Sequence, residues 1–237
     1  KLNYIIMKFK APRGTSDHTP EITNHWNEVE RIARETAKSF GYQEISTPVF
    51  EQTGLFKRAV GEGTDVVQKE MYNFTDLGGN ELTLRPEGTA PVCRAFIEHG
   101  MHNLPYPVRL FYIEPMFRHE RPQSGRMRQH HQFGVEIFGD SSPESDSEII
   151  LLALTYLKKL GLKGLKLKIN SIGNKESRED FKKSFIDYFM TKKNDLPDID
   201  KKKFDINPIR ILDSKEKVTR EMIIDSPKPI DFLDEES

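Results

Sequence analysis

Two strand-like runs, RLFYIEPMFRHE (109–120) and RMRQHHQFGVEIFG (126–139), flank the polar loop RPQSG, and together they predict a long β-pair. Side chains alternate across a strand, so Arg126, Arg128, His130, Gln132 and Glu136 fall on one side. Met127, His131, Phe133, Val135 and Ile137 fall mostly on the other. One face of this strand is therefore polar and the other largely apolar.

Around that pair the chain alternates helical and extended patterns. Ile22, Trp26, Val29, Ala33, Ala37 and Phe40 keep the three-or-four spacing of an amphipathic helix that Gly41 terminates. YQEISTPVF is extended, with Pro48 confined to a strand edge or end. After the charged stretch GEGTD, EMYNFTD and ELTLRP read as a hairpin whose turn, LGGN, takes positive φ at its glycines. GTAPVCRAFIEHG reads as helix. Ser142-Pro143 opens another helix, with Glu144, Asp146 and Glu148 early and Lys158 and Lys159 late, complementing the helix dipole. Its middle, IILLALTYL, is apolar nearly all round and is expected to be buried. LKLKI alternates like a strand, and a helix from Glu176 to Met190 lines up Phe181, Phe185 and Phe189. The polar remainder reads as a small helical or irregular appendage. The sum is an α+β fold, a mainly antiparallel sheet flanked by helices with a small, mostly helical C-terminal appendage.

Composition excludes several function classes. Across 237 residues, 36 Lys plus Arg against 37 Asp plus Glu leave a net charge of −1, which argues against a basic nucleic-acid module. No apolar run approaches the ~20 residues of a membrane span. The lone Cys93 forbids an intrachain disulfide and a four-cysteine zinc site, and points to a reducing, cytoplasmic setting. KLNYIIMKFK lacks the apolar core and cleavage site of a secretory signal, and residues 1–6, ahead of Met7, read as an extension.

Chemistry concentrates between residues 109 and 136, where Arg109, Arg118, Arg121, Arg126 and Arg128 accompany His119, His130 and His131. Planar guanidinium groups match phosphate oxygens in pairs, which suits a polyphosphate or nucleotide; a solvated, charged edge hairpin is the alternative. A histidine metal site is disfavoured, because His130 and His131 are adjacent and point to opposite faces. RPEGT (85–89) sits where a strand ends and a helix begins. It is either a turn with an N-cap or a carboxylate presented to a cationic group such as an α-amine. Neither a P-loop lysine motif nor a dinucleotide glycine fingerprint occurs. Cys93, inside an apolar helix segment, reads as core rather than nucleophile.

At these residues the sequence resembles the class II aminoacyl-tRNA synthetases, specifically the bacterial-type histidyl-tRNA synthetases, from PRGTSDHTP near residue 12 to the final IDFLDEES. The helix ending at Gly41 with YQEISTPVFE resembles the first class II signature, which implies a homodimer through the segment around Pro48. LTLRPEGTA resembles the amino-acid-binding segment, and MFRHERPQSGRMRQHHQFGVEIFG the second signature, with the ATP-binding arginine. The resemblance implies that Arg118 holds the ATP α-phosphate and acts in catalysis. Glu120 and Arg126 flank the nucleotide, and His130 takes the place of the residue that stacks on adenine. Glu87 and Thr89 receive the α-amine of histidine, Gln132 its amino/carboxylate end and Glu136 its imidazole. Implied substrates are histidine, ATP with Mg2+ and tRNA(His); no resident metal is implied.

The sequence departs from the family pattern at Met127 and His130, where a tyrosine and a phenylalanine are usual, and at Glu114, where a glycine is usual. No glycine follows Gly173, so the third signature is expected to be missing. Residues 7–173 then form the catalytic core and 174–237 an insertion-like segment, a partial catalytic domain expected to be inactive alone. The alternative is the non-catalytic, synthetase-like regulatory subunit of ATP phosphoribosyltransferase in histidine biosynthesis, which keeps a histidine pocket and loses ATP and tRNA contacts. Intact Arg118, Glu120, Arg126, Gln132 and Glu136 favour the ligase, and His130 leans the other way.

Overall fold

The computed structural model describes residues 9–61, 64, 66–120, 125–171 and 173–234. Residues 1–6, most of GEGTD, and Arg121 with the rest of the loop up to Ser124 lie outside the described residues. Two compact units divide between Gly164 and Leu165. In the first, the chain runs α1 (Pro20–Ser39), β1 (Gln43–Glu44), β2 (Phe50–Gln52), α2 (Thr53–Val60), β3 (Tyr72–Thr75), β4 (Glu81–Leu84), α3 (Thr89–Glu98), β5 (Val108–Phe117), β6 (Gln129–Phe138) and α4 (Pro143–Lys159).

The long pair forms as expected. β5 and β6 are antiparallel, with Val108 opposite Phe138 and Phe117 opposite Gln129. β1 adds in parallel at the other edge of β5. A second sheet has the order β2-β4-β3, all antiparallel, and contains the expected hairpin, with Gly79 at φ +83° in its turn. YQEISTPVF is thus split between two sheets, and Pro48 lies at the switch, where its missing N–H breaks no ladder.

Facing residues of an antiparallel pair share a side, so the register separates two cores. On one face Val108, Leu110, Tyr112 and Met116 pack with Val92 and Phe96 of α3. On the other, Phe111, Ile113, Phe133, Val135 and Ile137 pack with Ala37 of α1 and Leu152 of α4. Phe111 and Leu152 are fully enclosed, each contributing about 1.5–3 kcal/mol of apolar transfer. His131 joins this second face, its ring 4.9 Å from that of Trp26. His130 lies on the first, so the two histidines are separated by the sheet.

Two expectations need correction. Only Leu152 of the IILLALTYL run is buried, and Leu151 is 55% exposed, because α4 meets the sheet along a single stripe. LKLKI carries no strand: Leu165–Asn170 have no ladder partner among the described residues, and alternation without a partner leaves Leu167 and Ile169 exposed.

The second unit contains α5 (Lys175–Met190), α6 (Asp198–Ile206) and α7 (Lys217–Ile224), linked by short 3-10 turns. Phe181, Phe185 and Phe189 form its core as predicted, with Leu196, Phe204 and Ile211. At its centre Asp200, fully enclosed, accepts hydrogen bonds from Lys203 Nζ (2.8 Å), Thr219 Oγ1 (2.7 Å) and Ser214. No helix among the described residues is long and apolar enough to cross a membrane.

Candidate functional site

The first sheet face is where the polar candidates meet, because the end of β4, the start of α3, β5 and β6 converge there. The turn from Arg85 to Thr89 ends β4 and opens α3. Glu87 serves as a local cap: its carboxylate accepts from Thr89 N (2.8 Å) and Ala90 N (3.0 Å), two of the helix's otherwise unpaired amides. This is the N-cap reading of RPEGT, and it also holds an acidic group at the mouth of the site.

Thr89 Oγ1 donates to Glu136 Oε1 over 2.8 Å, bringing the α3 start onto β6. Tyr112, opposite Gly134 in the register, aims its hydroxyl at the same oxygen from 3.5 Å. Burial, reinforced by the Glu87 charge, pushes the Glu136 carboxyl above its usual range, against hydrogen bonds from Thr89 and Tyr112 that oppose the shift. Burial likewise raises the Tyr112 hydroxyl, so it stays a neutral donor. Gln132, on the Glu136 face, holds its Oε1 buried with no donor among the described residues. An acceptor buried in that way costs free energy that a ligand amine would recover.

The cationic end is built on the continuation of β5. Arg118 donates from Nε to the carbonyl of Pro86 at 2.7 Å, and its backbone N–H donates to Arg128 O at 2.9 Å. The Glu120 carboxylate stands 3.1 Å from Arg126 and 3.9 Å from Arg118. Arg126, Met127 and Arg128 precede the β6 ladder, so strand alternation does not place them; alternation governs His130 to Glu136. Arg126 is instead held beside Arg118 through Glu120, with its side chain 63% exposed. Arg128 N donates to Gly14 O (2.7 Å), and a Cβ on Gly14 would come within 2.7 Å of the Arg128 side chain, so PRGT requires glycine there. His130 is half-buried, and desolvation together with the nearby Arg118 charge lowers its pKa, leaving a neutral ring.

Chemically, this face carries two carboxylates and an orphan carbonyl oxygen at one end and two guanidinium groups at the other. Such polarity suits a ligand pair, one part cationic and the other polyanionic. Among the described residues no group of three His, Cys, Asp or Glu side chains could hold a metal ion. A groove of about 1350 Å3 between α2 and α3 reaches Glu87 and Thr89, but Arg118, Gln132 and Glu136 lie outside its lining. Cys93 lines that groove half-buried, and burial pushes its thiol upward, which disfavours the nucleophilic thiolate.

Sequence reasoning missed Tyr112, Gly88 and Gly134. A Cβ on Gly134 or Gly88 would lie 2.2 or 2.3 Å from Tyr112, so both glycines make room for the ring that backs Glu136. The signal existed: a tyrosine four residues before Met116 shares its face, and a glycine inside a strand marks a close approach.

The family model described as histidyl-tRNA synthetase matches residues 14–174. A histidine–tRNA ligase of Protochlamydia amoebophila is 50% identical over 98% of this chain and 56% of its own length. One of Desulforudis audaxviator is also 50% identical, over 96% and 54% respectively. The chain thus spans about half the length of these curated relatives. Among solved structures, apo histidyl-tRNA synthetase of S. aureus superposes with a TM-score of 0.74 at 36% identity, covering 96% of this chain and 51% of that one. An ATP phosphoribosyltransferase regulatory subunit/histidyl-tRNA synthetase from Bacillus halodurans shares the fold, with a TM-score of 0.64 at 22% identity over 91% of this chain and 55% of that one.

Proposed function

Because this chain belongs to the histidyl-tRNA synthetase family, we propose that its polar sheet face activates histidine with ATP as part of a histidine–tRNA ligase. The observation that carries this reading is the charge order of the face. Glu87, Glu136 and the donor-less Gln132 oxygen stand at one end, and Arg118 with Arg126 at the other.

In this reading Glu87, Thr89 and Gln132 bind the amino end of histidine, and Glu136 accepts the imidazole N–H. An apolar amino acid would offer Glu136 no donor beyond those of Thr89 and Tyr112, which supplies selectivity. A carboxylate oxygen of histidine attacks the α-phosphorus of ATP. The acyl–phosphate bond of histidyl-adenylate forms, the α–β bridging bond breaks, and pyrophosphate leaves. Arg118 receives the charge that builds on the α-phosphate, Glu120 and Arg126 flank the nucleotide, and the neutral His130 ring lies against adenine. Mg2+ would arrive on the triphosphate as part of the substrate. The activated histidine then passes to tRNA(His). Val49, Phe50 and Phe74, exposed apolar side chains beside Pro48, support a homodimer through that segment, and a cytoplasmic setting fits the lone cysteine.

Calorimetric titration with an amino-acid panel tests the site. Histidine is expected to bind at least about tenfold more tightly than leucine, glutamine or lysine, and Glu136→Gln to remove most of that preference. Equal binding across the panel would refute the assignment. Histidine binding without any response to ATP would favour the regulatory-subunit reading.

A further inference from the structure

Arg85 and Glu114 form an ion pair at 2.5 Å with side chains only 2% and 6% exposed. A buried pair of this kind is poor stabilisation by itself, since an apolar replacement of similar volume is often as stable, so its use is to be sought in what it fixes. Both groups reach well beyond each other. Arg85 donates from Nε to Pro115 O (2.9 Å) and from Nη1 to Thr47 O (2.8 Å). Glu114 accepts from Ser46 Oγ (2.7 Å), Thr47 N (2.9 Å) and Thr47 Oγ1 (3.1 Å). The main chain of Arg85 is tied as well, its N–H to Val49 O and its carbonyl to Phe117 N. The next residue, Pro86, offers the carbonyl that anchors Arg118 Nε, and the one after, Glu87, caps α3.

Resting on the ligase reading above, we propose that Arg85 and Glu114 are positioning residues for that reaction. The pair locks the turn 86–89 to β5 and to the segment 46–48. It thereby sets Glu87, Thr89 and the Arg118 anchor as one rigid unit. Neither side chain touches a substrate in this arrangement; they act through the residues that do. The pair also ties the amino-acid turn to the segment proposed for dimerisation, so residues 46–48 are linked to Glu87 both through Arg85 directly and through the Glu114 carboxylate.

The test uses the full-length protein with Glu114→Gln, which keeps the shape and removes the charge, and Glu114→Asp, which restores it. Histidine-dependent ATP–pyrophosphate exchange gives KM and kcat, and amide hydrogen exchange reads Thr89 and Ala90. Glu114→Gln is expected to raise KM for histidine about tenfold and to speed exchange at both amides by a similar factor, with Val135 in β6 unchanged; Glu114→Asp recovers at least half of each loss on a logarithmic scale. A fall in kcat alone, with KM and the two amides at wild-type values, would overturn the proposal, because it reports only fewer folded molecules. If Glu114→Gln does not fold, Thr47→Val removes one donor to the carboxylate and is expected to raise KM about threefold; an unchanged KM would overturn the proposal equally. A wild-type protein with no exchange activity would refute the ligase reading, while the two amides would still decide the positioning claim.

Discussion

Gly134 shows how closely single residues are fitted at this site. Alanine there must displace either Tyr112 or β6, since its Cβ would lie 2.2 Å from the ring. Gly134→Ala is therefore expected to cost about 1–3 kcal/mol of stability and to weaken histidine binding, because Tyr112 backs Glu136. Denaturant titration and calorimetry check both, and wild-type values in either would contradict this packing. Much of the residue scale was legible in sequence: alternation along β6 separates Gln132 and Glu136 from Phe133 and Val135, and the register keeps them apart. The joint hold of Thr89 and Tyr112 on Glu136 was not, because it joins residues 24 and 47 positions apart. Arg126 escaped the same alternation because the ladder begins only at Gln129.

Elements form where local chemistry and a partner agree. The helix at Asn174 illustrates this: its side chain accepts from Ser177 N at 2.9 Å, and its phenylalanine stripe finds α6 and the 3-10 turns. LKLKI had the pattern without the partner, and α4 had more apolar surface than one sheet face could cover. Pattern is a property of a segment, whereas burial is a property of its neighbours. Asp200 supplies the prediction at this scale. Burial would raise its pKa, but hydrogen bonds from Lys203, Ser214 and Thr219 outweigh it and leave the group below the ordinary value of 3.8. A carboxyl whose folded pKa is lowered stabilises fully above its unfolded value, and that contribution is lost as pH falls through the folded one. The second unit should therefore lose stability in acid below the ordinary aspartate range. Asp200→Asn should cost about 1–3 kcal/mol at neutral pH and flatten that acid limb. A variant that matches wild type at pH 7 would contradict the role given to the carboxylate.

At the scale of the whole molecule, a net charge of −1 is compatible with a cationic end on the polar sheet face because Arg118 and Arg126 stand against Glu120, whereas Arg109 lies on the opposite face and pairs with Glu148 of α4. Exposed Phe50 and Phe74, with ring centroids 6.0 Å apart, lie next to the switch at Pro48. Sedimentation equilibrium at micromolar concentration is expected to give twice the mass of one chain, and Phe50→Asp to shift it toward one. A single-chain mass for the wild type would contradict the proposed dimer. The fold class was legible because periodicity and turn signals agreed along most of the chain; the proposed dimer rests instead on the resemblance of the segment around Pro48 to the first class II signature, since periodicity leaves exposed surface unassigned. The central claim is that one sheet face brings histidine and ATP together, and histidine-dependent ATP–pyrophosphate exchange on the full-length protein, beside Arg118→Ala, tests it most directly. Exchange that falls on the order of a hundredfold or more in the variant is the predicted result, and exchange that is absent from the wild type or untouched by Arg118→Ala would contradict it.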